Sequence, residues 1–255
     1  MTTAVRPATR PLSVSALNLL STCPEKYNLH YRRKLPTEPS IPMEKGSTLD
    51  RGLRSAAIGN AWTAALFRKG VDLYLEQEAR KHEVLGWTKD ERRDFREYLV
   101  GKMFPAYLAW PARRIPLRAT QLKLQGEIAG RPFVGYVDAV AMDHEIVDYK
   151  FHGRSPTEGE KAAEVQNYLY ALLYRVVEGT TPPRVTYLHF VGAAEPKIIE
   201  ESYEINPGVL DDIKRDVALM IRLLEHLEAG GGGEWPRFRT SCLKWGRRCE
   251  YWDKC

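Results

Sequence analysis

The stretch GYVDAVAMDHEIVDYKF, residues 135–151, contains the pattern that decides the fold. Two apolar segments flank a polar turn at Asp143, and each segment carries an aspartate within it. Short runs rich in Val, Ile, Phe and Tyr, bounded by turn residues, are typical of β-strands. We therefore predict two antiparallel strands, with Asp138 near the end of the first and Asp148 and Lys150 on the second.

Further strands and helices are predicted on both sides of this pair. Residues 119–130, ATQLKLQGEIAG, alternate apolar and polar side chains, which predicts another antiparallel strand that ends at a turn at Gly130. Residues 155–179 are predicted as one helix, with a capping box formed by Thr157 and Glu160 and an apolar face at helical spacing from Ala162 to Val176. The predicted core is completed by two strands and a long amphipathic helix, at 184–192, 197–205 and 209–230.

The N-terminal part of the chain is predicted to be helical. Ser13 and Ser15 are N-cap candidates for a first helix, and Cys23-Pro24 begins a second that continues to about residue 33. Prolines make residues 35–42 a predicted linker, and the alanine-rich segment 56–67 is predicted as one helix. We expect a mobile arm at 1–12 and a single domain at 13–255, divided into a helical insertion, a core and a cysteine-rich tail at 43–117, 118–229 and 234–255.

The composition is that of a globular protein. Of the 255 residues, 44% are hydrophobic and 28% are charged, which excludes a fibrous or wholly disordered chain. No apolar run approaches the roughly 18 residues of a membrane-spanning helix, and the N-terminus lacks the apolar segment of a secretory signal. We therefore expect no membrane partner and a cytoplasmic location. The net charge of +5 permits a polyanionic partner without requiring one.

The two aspartates and the lysine are candidates for a catalytic metal site. Strand side chains alternate, so Asp148 and Lys150 share one face and Tyr149 lies on the other, while the hairpin brings Asp138 alongside them. Two carboxylates in apolar surroundings repel each other unless a cation lies between them. Oxygen ligands of this kind suit Mg²⁺ or Mn²⁺, which activates water, and a nearby lysine neutralises developing charge.

These residues, taken in order, resemble a known family. The triplet D-Y-K alone is common, but G-x-x-D, a following hydrophobic-D-x-K and a helix carrying Q-x-x-x-Y at Gln166 and Tyr170 together resemble the PD-(D/E)XK nuclease superfamily. The N-terminal pattern S-x-S-x-L…CP…Y resembles its RecB-like branch with an iron–sulfur cluster. That branch includes the CRISPR adaptation-associated exonuclease, the nuclease domain of AddB and phage exonucleases. The residues that match the N-terminal pattern are Ser13, Ser15, Leu17, Cys23, Pro24 and Tyr27.

The resemblance implies a fold and roles for individual residues. The fold would be an α/β restriction-endonuclease-like core, a central mixed sheet flanked by helices, with a helical N-terminal insertion and a cysteine-rich C-terminal tail. Asp138 and Asp148 would ligate Mg²⁺ or Mn²⁺ with the backbone carbonyl of Tyr149, and Lys150 would be the catalytic lysine. Gln166 and Tyr170 would position DNA or support the site.

One position departs from the pattern of the family. Its members usually carry G-x-x-x-H on an early helix, where the histidine is a metal ligand, but the matching stretch here is GSTLD, residues 46–50. Asp50 therefore stands where histidine is expected. Aspartate is a competent oxygen ligand for Mg²⁺. The residues leave three alternatives open: a retained metal ligand, a weakened enzyme, or an acid on the surface of a helix.

The four cysteines form a second candidate site. Cys23 stands far from the other three, which follow the pattern C-x6-C-x5-C at Cys242, Cys249 and Cys255. Four thiols are too few for a disulfide scaffold, so they indicate a metal site or no site. The resemblance implies that all four hold a [4Fe–4S] cluster and that the holoprotein has no free thiol. Structural zinc is the alternative.

The function that the resemblance implies is a metal-dependent DNA exonuclease. It would hydrolyse phosphodiester bonds in single-stranded DNA or duplex ends, in recombination, repair, phage DNA processing or CRISPR adaptation. The alternative is a non-catalytic DNA-end-binding accessory subunit that retains the nuclease fold. The chain has no nucleotide-binding P-loop, so a helicase would be a separate partner, as would a CRISPR integrase complex. Cations at Arg32, Arg33 and Lys34 and in the tail are candidates for phosphate contacts.

Overall fold

A computed structural model describes residues 10–37, 40–81, 86–110, 117–156, 165–230, 233–243 and 248–255. The predicted capping box of Thr157 and Glu160 lies outside these residues, as do residues 1–9 of the predicted arm. Leu12, which was assigned to the arm, is buried and pairs with Phe133 in the sheet, so the folded part of the chain includes it.

The strands form one mixed sheet. They are β1 Leu12–Ser13, β2 Leu117–Ile128, β3 Arg131–Ala141, β4 Ile146–His152, β5 Arg184–Val191 and β6 Lys197–Glu204. The order in the sheet is β2–β3–β4–β5–β6, and the short β1 pairs in parallel with β3. The pairs β2–β3, β3–β4 and β5–β6 are antiparallel, whereas β4 and β5 are parallel. This confirms the predicted fold class.

The register of the first hairpin follows from its tight turn. Gly130 adopts a φ of 77°, which favours glycine, and the pairing continues from Ile128 opposite Arg131 along both strands. By contrast, β3 and β4 share only two pairs, Ala139 with Val147 and Val140 with Ile146. Beyond these pairs β4 continues beside β5 as far as His152. The sheet therefore divides between β3 and β4 at Asp138, and we call this opening the fork.

Helices cover both faces of the sheet. On one face α1, α7 and α8 bury a core that includes Leu17, Leu172 and Leu224, and on the other α3 to α6 bury Phe67, Phe104 and Phe190. None of the helices in the described ranges combines the length and apolar composition that a membrane span requires. The helices are α1 Val14–Thr22, α2 Pro24–Tyr27, α3 Ile41–Ala56, α4 Ala64–Lys81, α5 Lys89–Tyr98, α6 Phe104–Ala109, α7 Val165–Glu178 and α8 Pro207–Ala229. The π-helical turns Asn28–Arg32 and Leu99–Met103 follow α2 and α5.

Two details of the helical region differ from the prediction. The single helix over 56–67 is wrong, because α3 ends at Ala56 and α4 begins only at Ala64. Between them the backbone is left-handed at Gly59, Asn60 and Trp62, which interrupts the helical hydrogen bonds. The predicted linker 35–42 is also too long, since α3 begins at residue 41, with proline in its tolerated first turn.

Close packing of α3 against α4 predicts a matched pair of stability effects. A Cβ atom on Gly70 in α4 would collide with the side chain of Ser55 and the carbonyl oxygen of Arg51. We expect Gly70→Ala to lower the free energy of unfolding by about 1–3 kcal/mol. Gly46→Ala in α3 meets no atom, so it is expected to be neutral or stabilising by up to about 1 kcal/mol. Urea unfolding of both variants tests this, and equal midpoints would contradict it.

Candidate active site

Asp138 fills the fork between β3 and β4. Its Oδ2 accepts a hydrogen bond of 3.0 Å from the backbone N–H of Tyr149. Tyr149 lies on β4 beyond the last residue that pairs with β3. Its Oδ1 accepts a hydrogen bond of 3.0 Å from the side-chain amide of Gln121 on β2. The same amide donates to Oδ1 of Asp50 at 3.3 Å. Gln121 therefore joins an aspartate of α3 to the one in the fork.

Asp148 and Lys150 lie beside the fork on β4. Oδ2 of Asp148 and Nζ of Lys150 form an ion pair at 2.7 Å. Nζ of Lys150 also lies 5.8 Å from the centre of the ring of Tyr187, the residue of β5 that pairs with Asp148. Tyr149 packs among the side chains of the opposite core, so the predicted alternation of faces holds. The three charged groups that the sequence singled out are thus close together.

Burial and neighbouring charges shift the pKa values of three groups in the site. Burial, followed by repulsion from Asp148 and Asp50, raises the pKa of Asp138 to about 7. Burial also raises the pKa of Asp50, against the opposing effect of the Arg54 guanidinium. For Lys150, burial opposes the charged form, but attraction to the Asp148 carboxylate outweighs it and the pKa is raised. The metal-free site therefore holds more carboxylate charge than it stabilises, which favours a proton or a cation.

Asp50 is paired with a cation from its own helix. Nη2 of Arg54 lies 2.6 Å from Oδ2 of Asp50, one helical turn further along α3. Asp50 lies close to Asp138, since the Gln121 amide contacts both carboxylates. The alternative of a plain acid on the helix surface does not fit this burial and these contacts. Arg54 competes with any metal ion for the Asp50 carboxylate.

The helix α7 contributes two polar side chains next to the charged groups of the site, Gln166 and Tyr170. Gln166 and Tyr170 hydrogen-bond each other through their side chains. Burial and the charge of Asp148 raise the pKa of Tyr170 to about 12, so its hydroxyl remains protonated. The packing of α7 explains why the G-x-x-D pattern begins with glycine here. A Cβ atom on Gly135 would lie 3.2 Å from Cε1 of Tyr170. Glycine lets α7 approach β3 closely.

The donor atoms fit a hard cation, although the arrangement is not that of a closed metal cage. Carboxylate oxygens from Asp138, Asp148 and Asp50 are the ligands that Mg²⁺ and Mn²⁺ prefer. Within the described ranges, however, no group of three or more His, Cys, Asp and Glu side chains is arranged so that it could hold a metal ion. In this arrangement Lys150 and Arg54 pair with Asp148 and Asp50, whereas Asp138 receives only neutral hydrogen-bond donors.

All four cysteines line a single cavity of about 380 Å³. Its other lining residues include the cations Lys26, Arg237 and Arg239. The tail lies against the segment around Cys23: the hydroxyl of Ser241 donates to the carbonyl of Thr22 at 2.7 Å. A fuller set of contacts joins the same two segments: Glu25 N–H to the Pro236 carbonyl, Lys26 to Glu250, His30 to the Tyr251 hydroxyl, and Tyr27 stacked on Trp235. Cysteines that are far apart in the sequence thus line one cavity.

Two residues of the site were not identified from the sequence. Gln121 lies opposite Asp138, because its neighbours Thr120 and Leu122 pair with Ala139 and Val137. Counting back from the turn at Gly130 would have found this position, and its φ of 51° marks a local irregularity. Arg54 carried the weaker signal of a cation four residues after Asp50, a spacing that is common on helix surfaces.

The raised carboxyl pKa values predict how stability depends on pH. We expect the metal-free protein to lose stability as the pH rises through about 7, because the folded state binds the Asp138 proton more tightly than the unfolded chain does. This contribution is fully present below the ordinary carboxyl pKa of about 4. Thermal unfolding midpoints measured in EDTA between acid and alkaline pH should fall less steeply for Asp138→Asn. If the midpoint changes with pH in the same way in the unaltered protein and in Asp138→Asn, the raised pKa of Asp138 is contradicted.

Comparison with known proteins identifies the family. The family model of the PD-(D/E)XK nuclease superfamily matches residues 11–255. A search of curated proteins gives no match. The crystal structure of a "Putative exonuclease" from Eubacterium rectale has a similar fold, with a TM-score of 0.58, 14% identity, and coverage of 96% of this chain and 87% of that chain. A crystal structure of SSO0001, at 14% identity and with 95% and 96% of the chains covered, has a TM-score of only 0.34 and carries no argument. The chain therefore belongs to the PD-(D/E)XK nuclease superfamily.

Proposed function

We propose that this protein is a metal-dependent DNA exonuclease of the RecB-like branch, acting on single-stranded DNA or duplex ends. The observation that carries the proposal is the position of Asp138 in the fork, beside the Asp148–Lys150 pair and joined to Asp50 through Gln121. These groups come from β2, β3, β4 and α3, and together they form one concentrated patch of carboxylate and ammonium charge.

The residues of the site would divide the chemistry between them. Asp138, Asp148, Asp50 and the carbonyl of Tyr149 would hold Mg²⁺ or Mn²⁺, which when bound supplies an activated water and neutralises phosphate charge. Lys150 keeps its proton because its pKa is raised, so it acts as a cation toward the phosphate and not as a general base. The protonated hydroxyl of Tyr170, held by Gln166, is a donor beside the same pair.

The cysteine cavity supports a group held by four thiolates, and the resemblance favours a [4Fe–4S] cluster over a zinc ion. Four cysteine ligands suit either group. All four cysteines line one cavity of about 380 Å³, so a single group in it would lie beside all four thiols. The cations Lys26, Arg237 and Arg239 around the cavity would offset the negative charge of the thiolates.

The proposed activity is tested with end-labelled DNA. The protein, purified anaerobically, is incubated with a labelled linear single strand, a blunt duplex and a circular single strand, each with Mg²⁺, Mn²⁺ or EDTA. We expect degradation of linear DNA from an end, with Mg²⁺ or Mn²⁺ and not with EDTA, and no cleavage of the circle. Cleavage of the circle would contradict exonuclease action, and intact DNA under every condition would contradict the enzyme.

A second candidate function is a DNA-end-binding subunit without turnover. The observation that favours it is the ion pair of Arg54 with Asp50, at the position where the family has a metal-binding histidine. This candidate predicts DNA binding without cleavage at any divalent metal concentration. Cleavage that appears only in an Asp50→His variant would select it, whereas cleavage by the unaltered chain excludes it.

The partners that the resemblance implies are part of the proposal. DNA is the substrate, and a helicase or a CRISPR integrase complex would supply or receive the processed ends. Affinity purification from the native organism tests this. An integrase that copurifies would assign the protein to CRISPR adaptation, and a helicase that copurifies would assign it to recombination or repair.

A further inference from the structure

The outer face of the β2–β3 hairpin leads away from the fork. Val134 and Tyr136 share one face of β3 by strand alternation, and Tyr136 precedes Asp138 by two residues, about 7 Å along the strand. Lys123 of β2 lies opposite Tyr136, and Gln125 lies opposite Val134. The side chain of Tyr136 is 55% exposed, an unusual setting for a large aromatic ring next to a buried site. An exposed aromatic ring and the lysine that pairs with it therefore lie on this hairpin close to the fork.

This face continues into a basic cleft. The cleft has a volume of about 440 Å³ and lies between the hairpin, β1 and the segment that follows Cys23. Among its described lining residues Glu228 is the one acid, against four cations: Arg10, Arg32, Lys123 and Arg131. Tyr27, Tyr31 and Tyr136 also line it. The cleft thus combines positive charge with aromatic rings.

Arg131 lines this cleft, and not all of the N–H groups of its guanidinium have hydrogen-bond partners among the described residues. Its side chain is 11% exposed, and its Nε is buried with no hydrogen-bond partner among the described residues. Glu228 lies 3.8 Å from its Nη2, which is too far for a good hydrogen bond. The guanidinium, which Glu228 does not pair closely, therefore adds positive charge to the cleft.

We propose that the hairpin face and this cleft bind the single-stranded part of the DNA next to the fork. We call this surface the hairpin track; it consists of Tyr136, Lys123, Arg131, Arg32 and Arg10. This inference rests on the proposed function and names the form of its substrate. Tyr136 stacks on an unpaired base, and Lys123, Arg131, Arg32 and Arg10 contact the phosphates. Bases inside a duplex are already stacked on their neighbours, whereas the bases of a single strand are free to stack on an aromatic side chain. The chemistry of the track therefore matches a single strand.

The stacking contact is tested by binding in EDTA, where no cleavage takes place. The probe is a fluorescein-labelled oligothymidine of about 20 nucleotides, which is longer than a typical site of roughly 4–16 nucleotides. We expect Tyr136→Ala to weaken binding by about 5- to 150-fold, the range of one lost base–aromatic stack, and Tyr136→Phe to bind as the unaltered protein does. Equal affinity of the alanine variant, with an unchanged thermal unfolding midpoint, would overturn the proposal.

The phosphate contacts are tested by salt dependence. Each lost phosphate contact reduces the slope of log K against log salt by about 0.7 for a single strand. We expect this reduction for Lys123→Gln. Lys197→Gln is the matched control, because Lys197 is also an exposed strand lysine but lies on β6 at the opposite edge of the sheet. Identical slopes for the two variants would overturn the phosphate part of the track.

A blunt-ended DNA duplex in hairpin form is the second binding probe and completes the test. It separates the proposed binding surface from the proposed nuclease activity. If Tyr136→Ala weakens the duplex as much as the single strand, the track does not recognise unpaired bases and the proposal is wrong. Because binding is measured without metal, a protein that does not cleave DNA still tests the track. Conversely, normal cleavage with unaltered binding by Tyr136→Ala overturns the track and leaves the nuclease proposal intact.

Discussion

Replacing Lys150 with Met is expected to lower the rate of DNA cleavage by about 10²–10³-fold, the usual cost of removing one group that stabilises charge in a transition state. The ammonium group lies 2.7 Å from Asp148 and keeps its proton, so the variant loses a positive charge beside the reacting phosphate. The side chain of methionine is of similar length and preserves most of the packing on Tyr187. Single-turnover cleavage with saturating Mn²⁺ separates this loss from weaker metal binding.

The controls for this prediction come from the same strand and sheet. Lys197→Met removes an exposed lysine from β6 and should leave cleavage unaltered. The double variant Asp148→Ala, Lys150→Ala removes both members of the ion pair, and we expect no measurable cleavage. Full activity in the double variant would show that the site at the fork is not the catalytic site.

Replacing Cys255 with Ser is expected to abolish the proposed iron–sulfur cluster and to destabilise the protein. A cluster held by Cys23 and Cys242 closes a loop of more than 200 residues, and closure of so long a loop stabilises by about 5 kcal/mol in the chain-entropy account. For a protein of this size, that corresponds to a fall of about 10–20 °C in the thermal midpoint. The fall is limited because Trp235 and Tyr251 are buried against the N-terminal segment and keep part of the tail in place.

The measurements are iron, sulfide and zinc content, visible absorption and thermal unfolding of anaerobically purified protein. The unaltered protein should be brown and should show no thiol that reacts before unfolding. Ser241→Ala is the matched control, because it removes one tail contact, the hydrogen bond to the Thr22 carbonyl, without touching a thiol. It should keep the cluster and lose about 1 kcal/mol. Colourless unaltered protein with one zinc ion per chain would contradict the cluster.

The parts of the fold that were predictable are those governed by local rules. The hairpin from residue 119 to 141 followed from alternation and from the turn at Gly130, which fixes which residues lie opposite each other. The shared face of Asp148 and Lys150 followed from strand geometry alone. The helix over 56–67 was predicted wrongly, because the apolar spacing continues through a segment where the backbone turns left-handed at Gly59, Asn60 and Trp62.

The site was less predictable than the strands that carry it. Asp50 was identified by its place in a family pattern, but its contact with Gln121 depends on how α3 lies against the sheet. The competing ion pair with Arg54 looked like an ordinary helix-surface pair in the sequence. Long-range contacts of this kind depend on the packing of elements far apart in the chain, which no local pattern encodes.

The sequence by itself determined the strands, the turn, the order of acidic residues and lysine, and the grouping of cysteines, because each depends on spacing along one element. Only the tertiary structure decided where β3 and β4 part, which aspartates share one amide, and that Cys23 meets the tail. It also showed that Tyr136 and Lys123 form an exposed face beside the fork. These features arise from the packing of two helical layers on one sheet, where burial brings together charges that are separated in the chain.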